Sequence, residues 1–301
     1  MSTALHTDRV GLGIASSLSA VFCFAIVHAL AKWLGQDYPA VQILFFRYLF
    51  GLLPVAVFVW RSGGLPVLRT RRPATHALRA GLLFVALLLF FEALQSLPLA
   101  EVIAVSFTAP LFVTALAAPV LGETVGPRRW TAVIVGFLGA LIMVRPGTAA
   151  FHPEALLVVG SAFSFSLLVL LTRRMTRTES TVCMVTYSTL FAGALSLPFL
   201  ASVWRPPAGE DMGLFVMIGI VGGIAAYLIV FAYGHAPVSV LAPFDYTALV
   251  WGALLGWVIW KEQPDAPVWI GAAMVSLAGF YITRREARGG KIVAGPPRSR
   301  A

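Results

Sequence analysis

Lys32, Arg47, Glu92 and Asp245 are ionisable residues set within runs that are otherwise almost wholly apolar. Holding such a group in hydrocarbon costs about 2.5–3.5 kcal/mol even on the lenient insertion scales, so each needs a partner or a task. Cations and carboxylates sharing one apolar interior suit a solute that carries both signs. Lys32 or Arg47 would then hold its carboxylate, and Glu92 or Glu101 would face its ammonium group. The plainer alternative is that Arg47 and Glu92 neutralise each other as a structural pair.

Phe24, His28 and Lys32 recur every four residues and share one helix face. A stripe of this kind usually packs inside a bundle; two polar heads at its end suit a cavity wall better than a lipid face. No second histidine stands at ligand spacing from His28, so no metal is expected, and no cofactor either. Asp245 is flanked by Pro243 and Tyr246, and Pro110 follows Ser106 and Phe107. Proline frees a carbonyl and bends a membrane helix, and solute sites form at such interruptions. Asp245 reads as a proton-linked or cation-contacting group, or as an acid bonded to neighbouring hydroxyls. Phe107, Phe163, Tyr227 and Tyr246 could stack on a planar solute, with ordinary packing as the competing role for each.

The elements that must position these residues are membrane helices. The chain has 301 residues, is 59% hydrophobic and only 12% charged, against about 25% charged for a soluble domain. A helix needs roughly 20 apolar residues to cross a bilayer. Ten stretches qualify: 10–34, 40–60, 77–97, 100–121, 128–146, 154–172, 181–203, 212–234, 238–260 and 267–284. An all-α integral membrane protein of ten spans is expected. The first apolar run leads through Lys32 into further spans, not to a cleavage site, so no cleavable signal is expected.

The net charge of +9 does not point to nucleic acid, because the basic residues sit in short loops between apolar runs. With both termini in the cytoplasm, 17 of the 22 Lys and Arg fall inside and four at the outer side, which selects that orientation. Cys23 and Cys183 lie in apolar spans and do not suggest a disulfide. No P-loop and no GxSxG occurs, and Asp245 has no second intramembrane aspartate, so neither an ATP-driven pump nor a membrane hydrolase is expected. Trp60, Trp204, Trp257 and Trp260 lie near span ends and read as interfacial belt residues. Gly219-x3-Gly223, Gly252-x3-Gly256, Gly136 with Ala140, and Gly271 with Gly279 permit close helix approach, inside the chain or between copies in a homo-oligomer. Membrane lipid and a small solute are the remaining partners.

A shift of 139 residues overlays the ends of the two halves: Pro98 on Pro237, Thr108-Ala109 on Thr247-Ala248, Glu123 on Glu262, Trp130 on Trp269 and Arg145 on Arg284. Five spans per copy is an odd number, so the second copy would enter the bilayer inverted. Residues 10–147 and 153–285 form the two expected repeats, followed by a basic cytoplasmic tail over 286–301. Glu123 and Glu262, near span ends, read as structural: each caps the next helix or pairs with a base such as Arg128.

Phe46-Arg47-Tyr48, Pro98-Leu99-Ala100, Ala109-Pro110-Leu111-Phe112 and Leu121-Gly122-Glu123, in this order and spacing, resemble the drug/metabolite transporter superfamily and its ten-span EamA-type members. The resemblance covers about 10–285. It implies an inner-membrane carrier of two inverted five-helix repeats working by alternating access, with its cavity lined by spans 1, 3, 4, 6, 8 and 9. Within the superfamily, the chain looks most like YddG-type exporters of aromatic amino acids. Export of aromatic or neutral amino acids is therefore expected, with another metabolite or a drug cation, or uptake in place of export, as the alternative.

Overall fold

The computed structural model describes residues 2–121, 126–175, 178–236 and 238–290. Its described residues form twelve α-helices: α1 (Ser2–Leu34), α2 (Ala40–Arg61), α3 (Pro73–Ser96), α4 (Leu99–Ser106), α5 (Ala109–Leu121), α6 (Pro127–Val144), α7 (Ala155–Met175), α8 (Thr181–Val203), α9 (Asp211–His235), α10 (Val238–Asp245), α11 (Thr247–Trp260) and α12 (Ala266–Gly290). A short 3-10 helix, Leu65–Leu68, lies before α3. Eight stretches are long and apolar enough to cross a membrane; Thr247–Trp260 and Ala266–Ile282 are shorter apolar helices. The fold is an all-helical membrane bundle.

Two of the expected spans are broken. The first splits into α4 and α5 at Phe107–Thr108, the second into α10 and α11 at Tyr246. The breaks share local chemistry. Thr108 Oγ1 donates to the Val105 carbonyl at 2.8 Å, and Thr247 Oγ1 donates to the Phe244 carbonyl at 2.6 Å. A hydroxyl bonded three residues back competes with the helical ladder. Pro110 falls in the first turn of α5, where its missing N–H costs nothing.

Glycine sets the tightest helix pairs. α9 meets α2 where a Cβ on Gly219 would overlap Phe50 and one on Gly223 would overlap Pro54. α6 meets α12 where a Cβ on Gly271 would overlap the Gly139 carbonyl. In hydrocarbon, close backbone approach replaces the hydrophobic effect as the source of attraction. These glycines serve contacts within the chain. Between α3 and α7 two serines act as interhelical bonds: Ser161 Oγ donates to the Ala86 carbonyl at 2.7 Å and Ser164 Oγ to the Leu82 carbonyl at 2.9 Å.

Packing distinguishes the two ends of the bundle. At the end carrying Lys32, α4 packs on α11, with α1, α7 and α12 around it. Under the 139-residue correspondence, the matching seam at the other end joins α5 to α10. Among the described residues these two do not pack comparably, and α10 rests on α1, α9 and α12 instead. The α4–α11 seam at the Lys32 end is packed; among the described residues its α5–α10 counterpart is not.

Candidate functional site

The Lys32 end is fastened by polar side chains. Lys32 Nζ lies 2.5 Å from Glu262 Oε1 and donates to the Leu97 carbonyl at 2.5 Å. The second oxygen of Glu262 accepts the Leu99 N–H at 2.8 Å. That N–H belongs to the first residue of α4, so Glu262 caps a helix of the other half. Of the two structural roles expected for Glu262, pairing with a base is the one formed, with Lys32, and the helix it caps is α4, not the one that follows it; Glu123 lies outside the described residues. Lys32 also stands 5.4 Å from the centre of the Trp260 ring. Nearby, Tyr38 Oη donates to Asp211 at 2.7 Å, the Gln42 amide donates to the Arg205 carbonyl at 2.7 Å, and Arg145 bonds Asp265 at 3.1 Å.

At the opposite end, Arg79 Nε donates to Thr172 Oγ1 at 3.0 Å, and its guanidinium also donates to the Met184 carbonyl at 3.0 Å and to the Ser188 hydroxyl. This arginine of α3 thereby ties α7 to α8.

Between the ends lie the residues whose types suggested solute contact. Phe107 and Tyr246 stack at 4.7 Å between centroids and 30° between planes. They stand at the two helix breaks, so the joints of the two halves face each other across this pair. Asp245 adjoins Tyr246 and is half-buried. Among the described residues it makes no hydrogen bond, so the expected bonds to neighbouring hydroxyls are not formed there. Tyr246 is the N-cap of α11, and its hydroxyl occupies the space a Cβ on Gly279 would need.

On α1, Phe24 stacks on His28 at 6.5 Å, and His28 meets Phe90 of α3 at 4.7 Å. Arg47 of α2 lies in the neighbourhood of His28. Its guanidinium lies against Gly222 of α9, where a Cβ would come within 3.4 Å of Nε. Nε is buried without a partner among the described residues. Arg47 and Glu92 form no ion pair: Glu92 is exposed on the face of α3 that also carries Leu78 and Val85. The structural-pair expectation is thus corrected, because helix α3 turns that carboxylate away from α2.

Phe163 and Tyr227 are not brought to this group. Phe163 of α7 packs edge-on to Phe112 of α5 at 5.5 Å. Tyr227 of α9 packs on Phe58 of α2 at 3.7 Å and lines a shallow apolar recess with Val55, Val185 and Gly223. Sequence reasoning missed Glu262 as the partner of Lys32, Phe90 as the partner of His28 and Gly222 as the clearance for Arg47. None has a local signal, since each partner is more than 60 residues away in the chain.

A membrane bundle with paired broken helices meeting at its centre, flanked by unmatched polar groups and closed at one end, has the layout of a small-solute carrier. Comparison with known proteins agrees. The profile of the EamA-like transporter family matches residues 11–145 and again 152–284. The chain is 30% identical over 286 residues to an S-adenosylmethionine uptake transporter of Rickettsia felis, covering 95% of this chain and 96% of the relative. It is 31% identical over 293 residues to a riboflavin transporter of Rhizobium johnstonii, covering 95% and 96%. Against the pseudopaline exporter CntI of Pseudomonas aeruginosa identity is 27% over 287 residues, covering 93% and 98%. A solved crystal structure shares the fold with a TM-score of 0.62 at 22% identity, covering 91% of this chain and 98% of that one. The chain belongs to the EamA-like transporter family of the drug/metabolite transporter superfamily. It is a multi-pass transporter of a bacterial inner membrane.

Proposed function

We propose that the chain is a secondary transporter working by alternating access, and that its substrate joins a flat aromatic system to charged, amino-acid-like groups. Its ten spans form two inverted repeats, over 10–147 and 153–285, with both termini in the cytoplasm. In that orientation the end carrying the α5–α10 seam faces the cytoplasm. The observation that carries the reading is the Phe107–Tyr246 stack at the facing helix breaks, with Asp245 beside it. Two stacked rings at a hinge offer a planar solute a slot that forms and dissolves as the halves rock.

S-adenosylmethionine, the substrate in the name of one relative, carries an adenine ring and an amino-acid end. Riboflavin, in the name of another, carries a larger flat ring system. Solutes of this chemistry would set their ring at Phe107 and Tyr246. A carboxylate would lie at Arg47, with His28 and Phe24 on the α1 wall, and a cationic group would meet Asp245. Glu92 is a secondary cation contact. Lys32 is held by Glu262 in this state and acts as a latch.

Export of aromatic or neutral amino acids is the second reading, favoured by the mixed-sign charges of Arg47 and Asp245. Relatives are named both for uptake and for export, so the family leaves the direction open. Proteoliposomes loaded with labelled S-adenosylmethionine, riboflavin, phenylalanine and tryptophan decide the matter. Saturable flux of S-adenosylmethionine supports the leading reading, flux of the amino acids alone supports the second, and flux of riboflavin alone keeps the aromatic slot but removes the charged groups from the substrate. No flux of any of them under any imposed gradient overturns both.

A further inference from the structure

His76, Glu179 and Cys183 converge where the start of α3 meets the link between α7 and α8. His76 Nε2 lies 3.3 Å from Glu179 Oε2, Cys183 Sγ lies 3.6 Å from the same oxygen, and Sγ lies 3.9 Å from Nε2. The three atoms form a closed triangle from three different ligand types. His76 and Cys183 are buried, at 0% and 1% exposure. We propose that this triangle is one face of a tetrahedral site for a borderline-soft divalent cation of the zinc type.

The edge lengths carry the proposal. Zinc bonds of about 2.3 Å to sulfur and about 2.0 Å to nitrogen and oxygen at tetrahedral angles set N and O roughly 3.3 Å apart, and S roughly 3.5 Å from either. The observed edges differ from these by a few tenths of an ångström, a shift within side-chain reach. A hydrogen-bond network alone explains two of the edges, with His76 and Cys183 both donating to Glu179. The sulfur–nitrogen edge, at 3.9 Å, is the longest of the three and the least accounted for by that network.

The surroundings support the ligands. Thr70 Oγ1 donates to the other oxygen of Glu179 at 3.0 Å, which turns Oε2 toward the histidine and the thiol. Ser180 caps α8 by accepting the Cys183 N–H at 3.2 Å, which fixes the thiol in the first turn of the helix. With a neutral imidazole, thiolate and carboxylate form a set of charge −2, which a dication balances. Among the described residues the neighbouring Arg79 is bonded to Thr172, Ser188 and the Met184 carbonyl, not to this carboxylate. The Leu68 carbonyl, 3.8 Å from Sγ, or a water would complete the tetrahedron. Binding displaces the thiol proton to solvent and joins α3, from the first half, to α8, from the second.

The test uses the full-length protein in detergent, stripped with a chelator under reducing conditions and titrated with Co2+. One cobalt per chain, giving a thiolate-to-cobalt charge-transfer band that Zn2+ abolishes, is the expected result. Cys183→Ser removes the band, Cys23→Ser keeps it, and Thr70→Val keeps it with affinity about tenfold weaker. His76→Gln, checked for folding by circular dichroism, also weakens cobalt binding by tenfold or more. A folded wild-type chain without the band, or a band that survives in Cys183→Ser, overturns the assignment. The readout does not depend on transport and stands or falls apart from the proposed substrate.

Discussion

Lys32 Nζ stands 2.5 Å from Glu262 Oε1, and the other oxygen of the same carboxylate takes the Leu99 N–H at 2.8 Å. One acidic residue thus joins the end of α1, the start of α4 and the link from α11 to α12. Both partners of the pair are largely enclosed, with side-chain exposures of 10% and 17%. Breaking an enclosed pair leaves a charge without compensation, at about 3–5 kcal/mol. Glu262→Gln should therefore lower the thermal midpoint in detergent, followed by tryptophan fluorescence. Replacing Lys32 as well, Lys32→Met with Glu262→Gln, should restore most of the stability, because the amide oxygen still accepts the Leu99 N–H, while transport stays impaired because the Lys32 end no longer latches. A Glu262→Gln protein as stable as the parent would remove the latch from the account.

Most of the fold was legible because hydrocarbon leaves few options: every backbone group must be bonded within a helix, so apolar run length alone locates α2, α7 and α8 to within a few residues. The breaks after Ser106 and Asp245 were signalled by proline, yet the threonines that shape them, Thr108 and Thr247, entered only as repeat markers. The site was less legible. Phe107 and Tyr246 were chosen as ring-bearing residues in interior helices and do stack, but Phe163 and Tyr227 met the same criterion and pack elsewhere. Helix rotation decides between such residues, and in a span that is apolar all round the sequence carries no amphipathic signal to set it. The Glu179–Cys183 spacing of four residues was visible; the third member, His76, is 103 residues away.

Arg47 offers a sign test that separates a solute-binding role from a structural one. Its Nε is buried without a partner among the described residues, while its guanidinium carbon stands 5.5 Å from the centre of the Tyr48 ring. Arg47→Met should change thermal stability little, since the lost contact with the Tyr48 ring is offset by removing a costly charge from the span. The same change should reduce flux of a carboxylate-bearing substrate by tenfold or more. A large loss of stability would mark Arg47 as a packing residue.

The Phe107–Tyr246 stack predicts a graded effect on affinity. Aromatic pairs contribute about 0.5–1.5 kcal/mol beyond their area, which corresponds to roughly 2- to 12-fold in a dissociation constant. Phe107→Leu and Tyr246→Leu should each raise the half-saturating concentration of an aromatic substrate by that factor. Tyr246→Phe, which keeps the ring, should leave it near the parent value. Competition by unlabelled substrate in proteoliposomes gives the number directly. Equal losses in the Leu and Phe variants at position 246 would shift the role from the ring to the hydroxyl that lies against Gly279.

Asp245 separates binding from coupling. It stands at the hinge between α10 and α11, half-buried and without a hydrogen bond among the described residues. A carboxylate so placed can exchange a proton or a substrate cation as the halves rock, whereas an amide can do neither. Asp245→Asn should therefore lose accumulation driven by a proton gradient. If the residue serves coupling alone, substrate exchange across the membrane without a gradient should persist at near the parent rate. If it also contacts a cationic group of the substrate, exchange should fall in step, most for S-adenosylmethionine and least for an uncharged solute such as riboflavin. An Asp245→Asn protein that still concentrates substrate against a gradient as the parent does would show that the hinge acid carries neither role.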